Sequence, residues 1–157
     1  MTKLHAAISA VGSYVPDFVL TNAILETMVE TNDEWITSRT GIKERRILKD
    51  KDKGTSYLAI QAAKDLIEKK QLDPQTIDLV IVATATPDLL VASTAAYVAS
   101  EIGATNAFSY DLQAACSSFL YGMSTAAAYI EAGRYKKVLL IGADKMSSII
   151  DYTDRAT

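Results

Sequence analysis

Residues 106–133, NAFSYDLQAACSSFLYGMSTAAAYIEAG, hold the pattern that decides the fold. Asn106 to Leu112 reads as a strand. A short break at Gln113–Ala115 follows, and Ser117 to Ala132 then reads as a helix stopped by Gly133, a position where glycine ends helices without steric cost. That helix is apolar or small almost all round: Phe119, Leu120, Met123, Ala126, Ala127, Ala128, Tyr129 and Ile130. A helix with no wet face is buried on every side. One sheet with a single helix layer per face would leave one side in water, so this helix is expected to lie between two layers.

Outward from this stretch the same alternation continues. Ile77 to Ala83 is a continuous β-branched run, as expected of a strand buried on both faces. Lys136 to Gly142 is a second such strand. Ser93 to Ile102 reads as a helix closed by Gly103, and Thr55 to Lys70 repeats apolar residues (Leu58, Ala62, Leu66) at helical spacing. Nearer the start, Leu4 to Val11 is an apolar run ended by Gly12 and is expected to be a strand. Thr21-Asn22 caps a short helix. Thr31-Asn32-Asp33-Glu34 opens another, with its acids where the helix dipole favours them. Strands alternating with helices predict an α/β fold with a largely parallel sheet, which places ligands at the C-terminal ends of its strands.

Composition bounds the chemistry. The chain has 157 residues, 49% hydrophobic and 22% charged, typical of a globular protein. One cysteine, Cys116, and one histidine, His5, argue against a disulfide framework and against a Cys- or His-rich metal site. A net charge of -3 and a pI near 5.1 give no global attraction to nucleic acid or to an anionic membrane. No signal peptide is expected, because Gly12, Tyr14, Pro16 and Asp17 interrupt the first apolar stretch. The uncharged run from Leu112 to Ile130 contains Gln113, Gly122 and several hydroxyls, so it reads as a buried helix rather than a membrane span. A cytoplasmic location is expected. Lys43 to Lys53 carries six basic and three acidic residues; a solvated loop is the first reading, docking of an acidic carrier protein the second.

Cys116 sits between a strand and the first turn of a helix. Unpaired N–H groups and a partial positive charge at a helix start favour an anionic sulfur, and strand, sharp turn, nucleophile, helix is a known way to present a reactive side chain. On the local sequence alone a cysteine buried as a small hydrophobe is the favoured reading, because a lone cysteine is a weak signal.

Several blocks together carry a family resemblance. They are Thr21-Asn22-Ala23, Leu25 to Val29, Asp33-Glu34-Trp35-Ile36, Arg39-Thr40-Gly41-Ile42-Lys43-Glu44-Arg45, Ala114-Ala115-Cys116-Ser117-Ser118-Phe119 and Asp151-Tyr152-Thr153-Asp154-Arg155. The chain resembles β-ketoacyl-acyl carrier protein synthase III, a thiolase-fold condensing enzyme that starts fatty-acid synthesis. The resemblance implies an α/β, thiolase-like fold made of two similar halves in α-β-α-β-α layers. Residues 1–157 would be the N-terminal half-domain (βαβαβα-β), with the C-terminal half outside this chain.

For function, the resemblance implies that Cys116 attacks a short acyl-CoA and that the acyl-enzyme condenses with malonyl-acyl carrier protein after loss of CO2. Trp35 and Arg155 would sandwich the adenine of CoA, Thr31 would hydrogen-bond that base, and Arg39 would lie at the same tunnel mouth. Val91, on the loop from Pro87 to Ser93, would help close a dimer partner's acyl pocket. A small residue there leaves room for a longer or branched primer, although Ala92 stands where many relatives carry proline. The family's catalytic histidine and asparagine are expected outside this chain, and His5 does not match them. No metal and no cofactor beyond the CoA substrate is implied. The expected partners are acyl-CoA, malonyl-acyl carrier protein and a second copy of the enzyme, with no nucleic acid and no membrane. This chain alone is expected not to condense. Two other functions stay open: another thiolase-fold acyltransferase or secondary-metabolite ketosynthase, and a non-catalytic CoA-binding or interaction module.

Overall fold

A computed structural model describes residues 4–155. Its elements, in order, are β1 (Phe18–Thr21), α1 (Asn22–Leu25), α2 (Asp33–Thr40), β2 (Glu44–Ile47), α3 (Thr55–Lys70), β3 (Leu79–Ala83), α4 (Thr94–Glu101), β4 (Phe108–Leu112), α5 (Ser118–Glu131) and β5 (Val138–Gly142), with 3-10 turns at Pro74–Thr76, Ala115–Ser117 and Met146–Ser148. The described residues form two compact units, one from residues 4–14 and 53–144, the other from residues 15–52 and 145–155.

The larger unit is built on a parallel sheet of order β4-β3-β5. β3 is buried along its whole length, as its unbroken Leu-Val-Ile-Val-Ala run requires. Val80 and Val82 face one way, with Leu139 and Ile141 of β5 beside them. Ala59, Ile60 and Ala63 of α3 and Ala95, Val98 and Ala99 of α4 pack onto that face. Each fully buried valine contributes about 1.5–3 kcal/mol. On the other face α5 lies close to β5: a Cβ on Gly122 would come within 2.5 Å of the Leu140 side chain, and one on Gly142 within 2.9 Å of the Phe119 ring. The helices end as the sequence predicts, at Gly103 (φ +81°) and Gly133 (φ +71°), both left-handed.

One expectation is corrected here. Leu4–Val11 is not a strand: among the described residues of this run none joins a sheet, and Ile8 and Val11 are about three-quarters exposed, at 74% and 75%. An apolar run becomes a strand only when a neighbour takes its N–H and C=O groups. The segment is anchored instead by Ser13, whose N–H donates to Asp65 of α3 (2.9 Å), and by Gly12, which passes so near α3 that a Cβ would meet the Ala62 carbonyl at 2.6 Å. The helix α5 is covered on one side only. Ser118 and Gly122 are buried against the sheet side, while Leu120 and Tyr121 stand 66% and 58% exposed. The described residues supply one of the two layers that its composition calls for.

The smaller unit pairs β1 and β2 antiparallel, Phe18 opposite Ile47 and Thr21 opposite Glu44. Lys43–Lys53 is thus not simply a solvated loop. Glu44 to Ile47 alternates exposed and half-buried residues, the signature of a strand with one face covered. No helix among the described residues is long and apolar enough to cross a membrane.

Candidate active site and stacking cluster

In the larger unit, β4 ends at Leu112 and the chain turns sharply into α5. Ala115 is held at φ +45°, in the left-handed region that a residue with a Cβ seldom enters. The 3-10 turn Ala115–Ser117 is closed by the Ser117 N–H donating to the Ala114 carbonyl (3.0 Å) and by the Ser118 hydroxyl donating to the Ala115 carbonyl (2.7 Å). Cys116 stands at the centre of this turn with a free, exposed thiol. Ser117, which caps α5, accepts no hydrogen bond from the helix through its side chain. The first N–H groups of α5 thus lack that partner, next to the sulfur. Among the described residues the thiol is exposed rather than packed as a small hydrophobe.

Val91 is carried by the loop between β3 and α4 and, like Leu90, is 99% exposed. His5 is on the surface, its Nδ1 4.0 Å from the Glu131 carboxylate.

The smaller unit gathers the other singled-out residues. Asn32 caps α2 by accepting from the Trp35 N–H (2.7 Å), and Gly41 ends it at φ +70°. Thr31 lies half-buried one residue before that cap. Beneath α2 sits Asn22, only 2% exposed. Its amide donates to the Asp33 carboxylate (2.7 Å) and to the Ile42 carbonyl (2.9 Å), and its oxygen accepts from the Arg45 guanidinium. Hydrogen bonds from Asn22 and Thr37 hold the Asp33 carboxyl below its ordinary range. The Thr-Asn, Asp-Glu-Trp and Arg-Thr-Gly-Ile-Lys-Glu-Arg blocks are therefore one polar hub that orients the helix bearing Trp35.

The Trp35 ring is 37% exposed, and two guanidinium carbons lie near it: Arg39, one turn on, 4.8 Å from the ring centroid, and Arg155 at 4.4 Å. Trp35, Arg39 and Arg155 are thus assembled from distant parts of the sequence. A flat base between Trp35 and Arg155 needs two van der Waals layers, about 7 Å in all. At 4.4 Å the two side chains stack directly on each other, and a base would enter by displacing Arg155.

Residues 110–157, which include the Cys116 turn and Arg155, match the family profile described as 3-oxoacyl-[acyl-carrier-protein (ACP)] synthase III. The whole chain is 56% identical to beta-ketoacyl-[acyl-carrier-protein] synthase III 2 of Bacteroides thetaiotaomicron, covering 47% of that protein. This chain resembles synthase III from end to end. A Chlorobium chlorochromatii synthase III is 58% identical over 154 residues, again across 47% of its own length. The crystal structure of the Aquifex aeolicus synthase III superposes with a TM-score of 0.90 at 44% identity, over 100% of this chain and 49% of that one. The priming β-ketosynthase of the R1128 polyketide pathway gives 0.92 at 35% identity, over 98% of this chain and 46% of that one. The fold is accordingly thiolase-like α/β, and the chain spans about half the length of the synthases it matches.

Sequence reasoning missed three carboxylates of the larger unit. Asp88, Asp111 and Asp144 belong to none of the motif blocks. All three grip the loop that carries Val91. The available signal was their position: Asp111 and Asp144 lie at the C-terminal ends of parallel strands, where such folds place their working residues.

Proposed function

We propose that this chain is part of a β-ketoacyl-acyl carrier protein synthase III. The single observation that carries the reading is the presentation of Cys116: an exposed thiol on a strained strand-to-helix turn, in a chain similar to synthase III throughout. In this mechanism the Cys116 thiolate attacks the thioester carbonyl of a short acyl-CoA. The tetrahedral oxyanion is met by a backbone N–H at Cys116, CoA leaves as its thiolate, and an acyl-cysteine remains. Malonyl-acyl carrier protein then loses CO2. The carbanion so formed attacks the acyl carbonyl, and the cysteine thiolate departs, giving a 3-oxoacyl-carrier protein. Oxidation states balance without any redox partner, so the scheme asks for no cofactor beyond the CoA substrate. Trp35 and Arg155 hold the adenine, Arg39 and Thr31 support it, and Val91 shapes the acyl pocket of a second copy. The working enzyme is a cytoplasmic homodimer, and the histidine and asparagine that complete the catalytic set lie outside these 157 residues.

The direct test is to incubate the full-length protein with radiolabelled acetyl-CoA and map the label. Acylation of Cys116, abolished in Cys116→Ala, is the expected result. CoA binding without acylation would overturn it in favour of a binding module. The likeness to the R1128 priming ketosynthase favours one second reading, a priming enzyme of secondary metabolism. Turnover of acetyl-CoA against branched and longer acyl-CoAs separates the two and tests the room left by Val91; a strict acetyl preference would remove that room from the account.

A further inference from the structure

The loop between β3 and α4 is held at three places and free at its tip. At its start, Oδ1 of Asp144 accepts from the Thr84 hydroxyl (2.9 Å), the Ala85 N–H (2.7 Å), the Thr86 N–H (3.2 Å) and the Thr86 hydroxyl (3.2 Å). In the middle, Asp88 turns back to α3 and accepts from the Ser56 N–H at 3.1 and 3.3 Å. The carboxylate fits there because residue 54 is glycine; a Cβ on it would collide with the Asp88 carboxylate. At the end, Asp111 accepts from the Ser93 hydroxyl (3.2 Å) and from the Thr94 and Ala95 N–H groups (2.8 and 2.7 Å), capping α4. Between the second and third grips, Leu89, Leu90 and Val91 are 64%, 99% and 99% exposed. A loop whose backbone is tied by charge-assisted hydrogen bonds while its apolar tip stands exposed is built to deliver that tip to a fixed point.

We infer that Asp144, Asp88 and Asp111 are positioning residues that fix the 84–94 loop and thereby set which acyl chain the site accepts. The inference rests on the synthase III reading, in which Val91 meets the acyl group. None of the three touches substrate; they act through the loop. A tip displaced by about 1 Å changes pocket depth by about a methylene, a difference that selective enzymes turn into roughly tenfold or more in kcat/KM.

The test uses the full-length protein with Asp144→Ala and Asp144→Asn. Two quantities are read: amide hydrogen exchange at Ala85 and Thr86, and the ratio of kcat/KM for acetyl-CoA to that for hexanoyl-CoA in the acylation step. Asp144→Ala is expected to speed exchange at both amides and shift the ratio by about tenfold. Asp144→Asn, which keeps an acceptor oxygen, is expected to restore most of both. Faster exchange with an unchanged ratio would reduce the carboxylate to a fold-stabilising role and overturn the inference. Unchanged exchange would overturn it too. If the wild-type protein acylates with neither substrate, the synthase reading falls and takes the specificity claim with it, while the exchange data show separately whether the carboxylate holds the loop.

Discussion

At the residue scale, Asn22 and Trp35 show how a motif divides its work. Asn22 is buried and its side chain bonds four neighbours, Asp33, Thr37, Ile42 and Arg45, so it fixes the helix rather than touching a ligand. Asn22→Leu strands the partners of a buried amide and is expected to cost about 2–3 kcal/mol, read as a fall in the denaturant midpoint. An unchanged midpoint would show that the hub is dispensable. Trp35 keeps part of its ring open to solvent. Base–aromatic stacking is worth about 1–3 kcal/mol, so Trp35→Ala is expected to weaken CoA binding about 10- to 100-fold with no loss of acylation at saturating substrate. Calorimetric titration checks it, and equal affinity would remove Trp35 from the binding site. The sequence made both residues visible through the motif. It did not separate their roles, because burial is a property of the packed unit and not of the residue string.

At the element scale, the helices of the larger unit were legible because caps and glycines mark their ends locally: Ser93 accepts from the N–H of Ala96, and Gly103 and Gly133 close their helices. Pairing was not legible. Leu4–Val11 has the composition of a strand and finds no partner among the described residues, whereas Glu44–Ile47 looks like a charged loop and pairs with β1. Long-range ladders depend on what lies alongside, which local propensity does not encode. The turn before α5 gives a test at this scale. Ala115 already occupies the left-handed region, and a β-branched side chain there adds about 1–2 kcal/mol of strain. Ala115→Val is expected to lower the melting temperature and to slow acylation of Cys116; no change in either would mean the turn is unstrained. Asp78 supplies a pH test. It accepts from the Lys137 and Lys136 N–H groups at the entry to β5, and these bonds pull its carboxyl below the ordinary range. A depressed carboxyl stabilises the fold above the unfolded value of about 3.9 and loses that contribution as the pH falls further. Thermal unfolding of the wild type is therefore expected to worsen below about pH 4 more steeply than that of Asp78→Asn; parallel acid limbs would sink this account.

At the scale of the whole molecule, the composition of α5 asked for two covering layers and the described residues give one. Leu120 and Tyr121 on α5, and Ile8 and Val11 near the chain start, remain exposed in the same unit. Apolar surface left uncovered in this way marks contact with further protein. The 157-residue chain by itself is thus expected to bind a hydrophobic dye, to sediment as more than a monomer and to give no condensation product, and a dye-silent monomer would count against this. That the thiolase-like fold could be named from sequence rested on the motif blocks; the uncovered helix face was readable from physics alone, because a run without a polar stripe has nowhere to put water. The stacking of Arg155 on Trp35 has a consequence of another kind. Trp35 is the chain's single tryptophan, so all indole emission comes from one ring, now covered by a guanidinium 4.4 Å from its centre. Any nucleotide that takes that place exchanges a cation for a purine against the one indole of these 157 residues, and this chain carries an optical gauge of occupancy that needs no label.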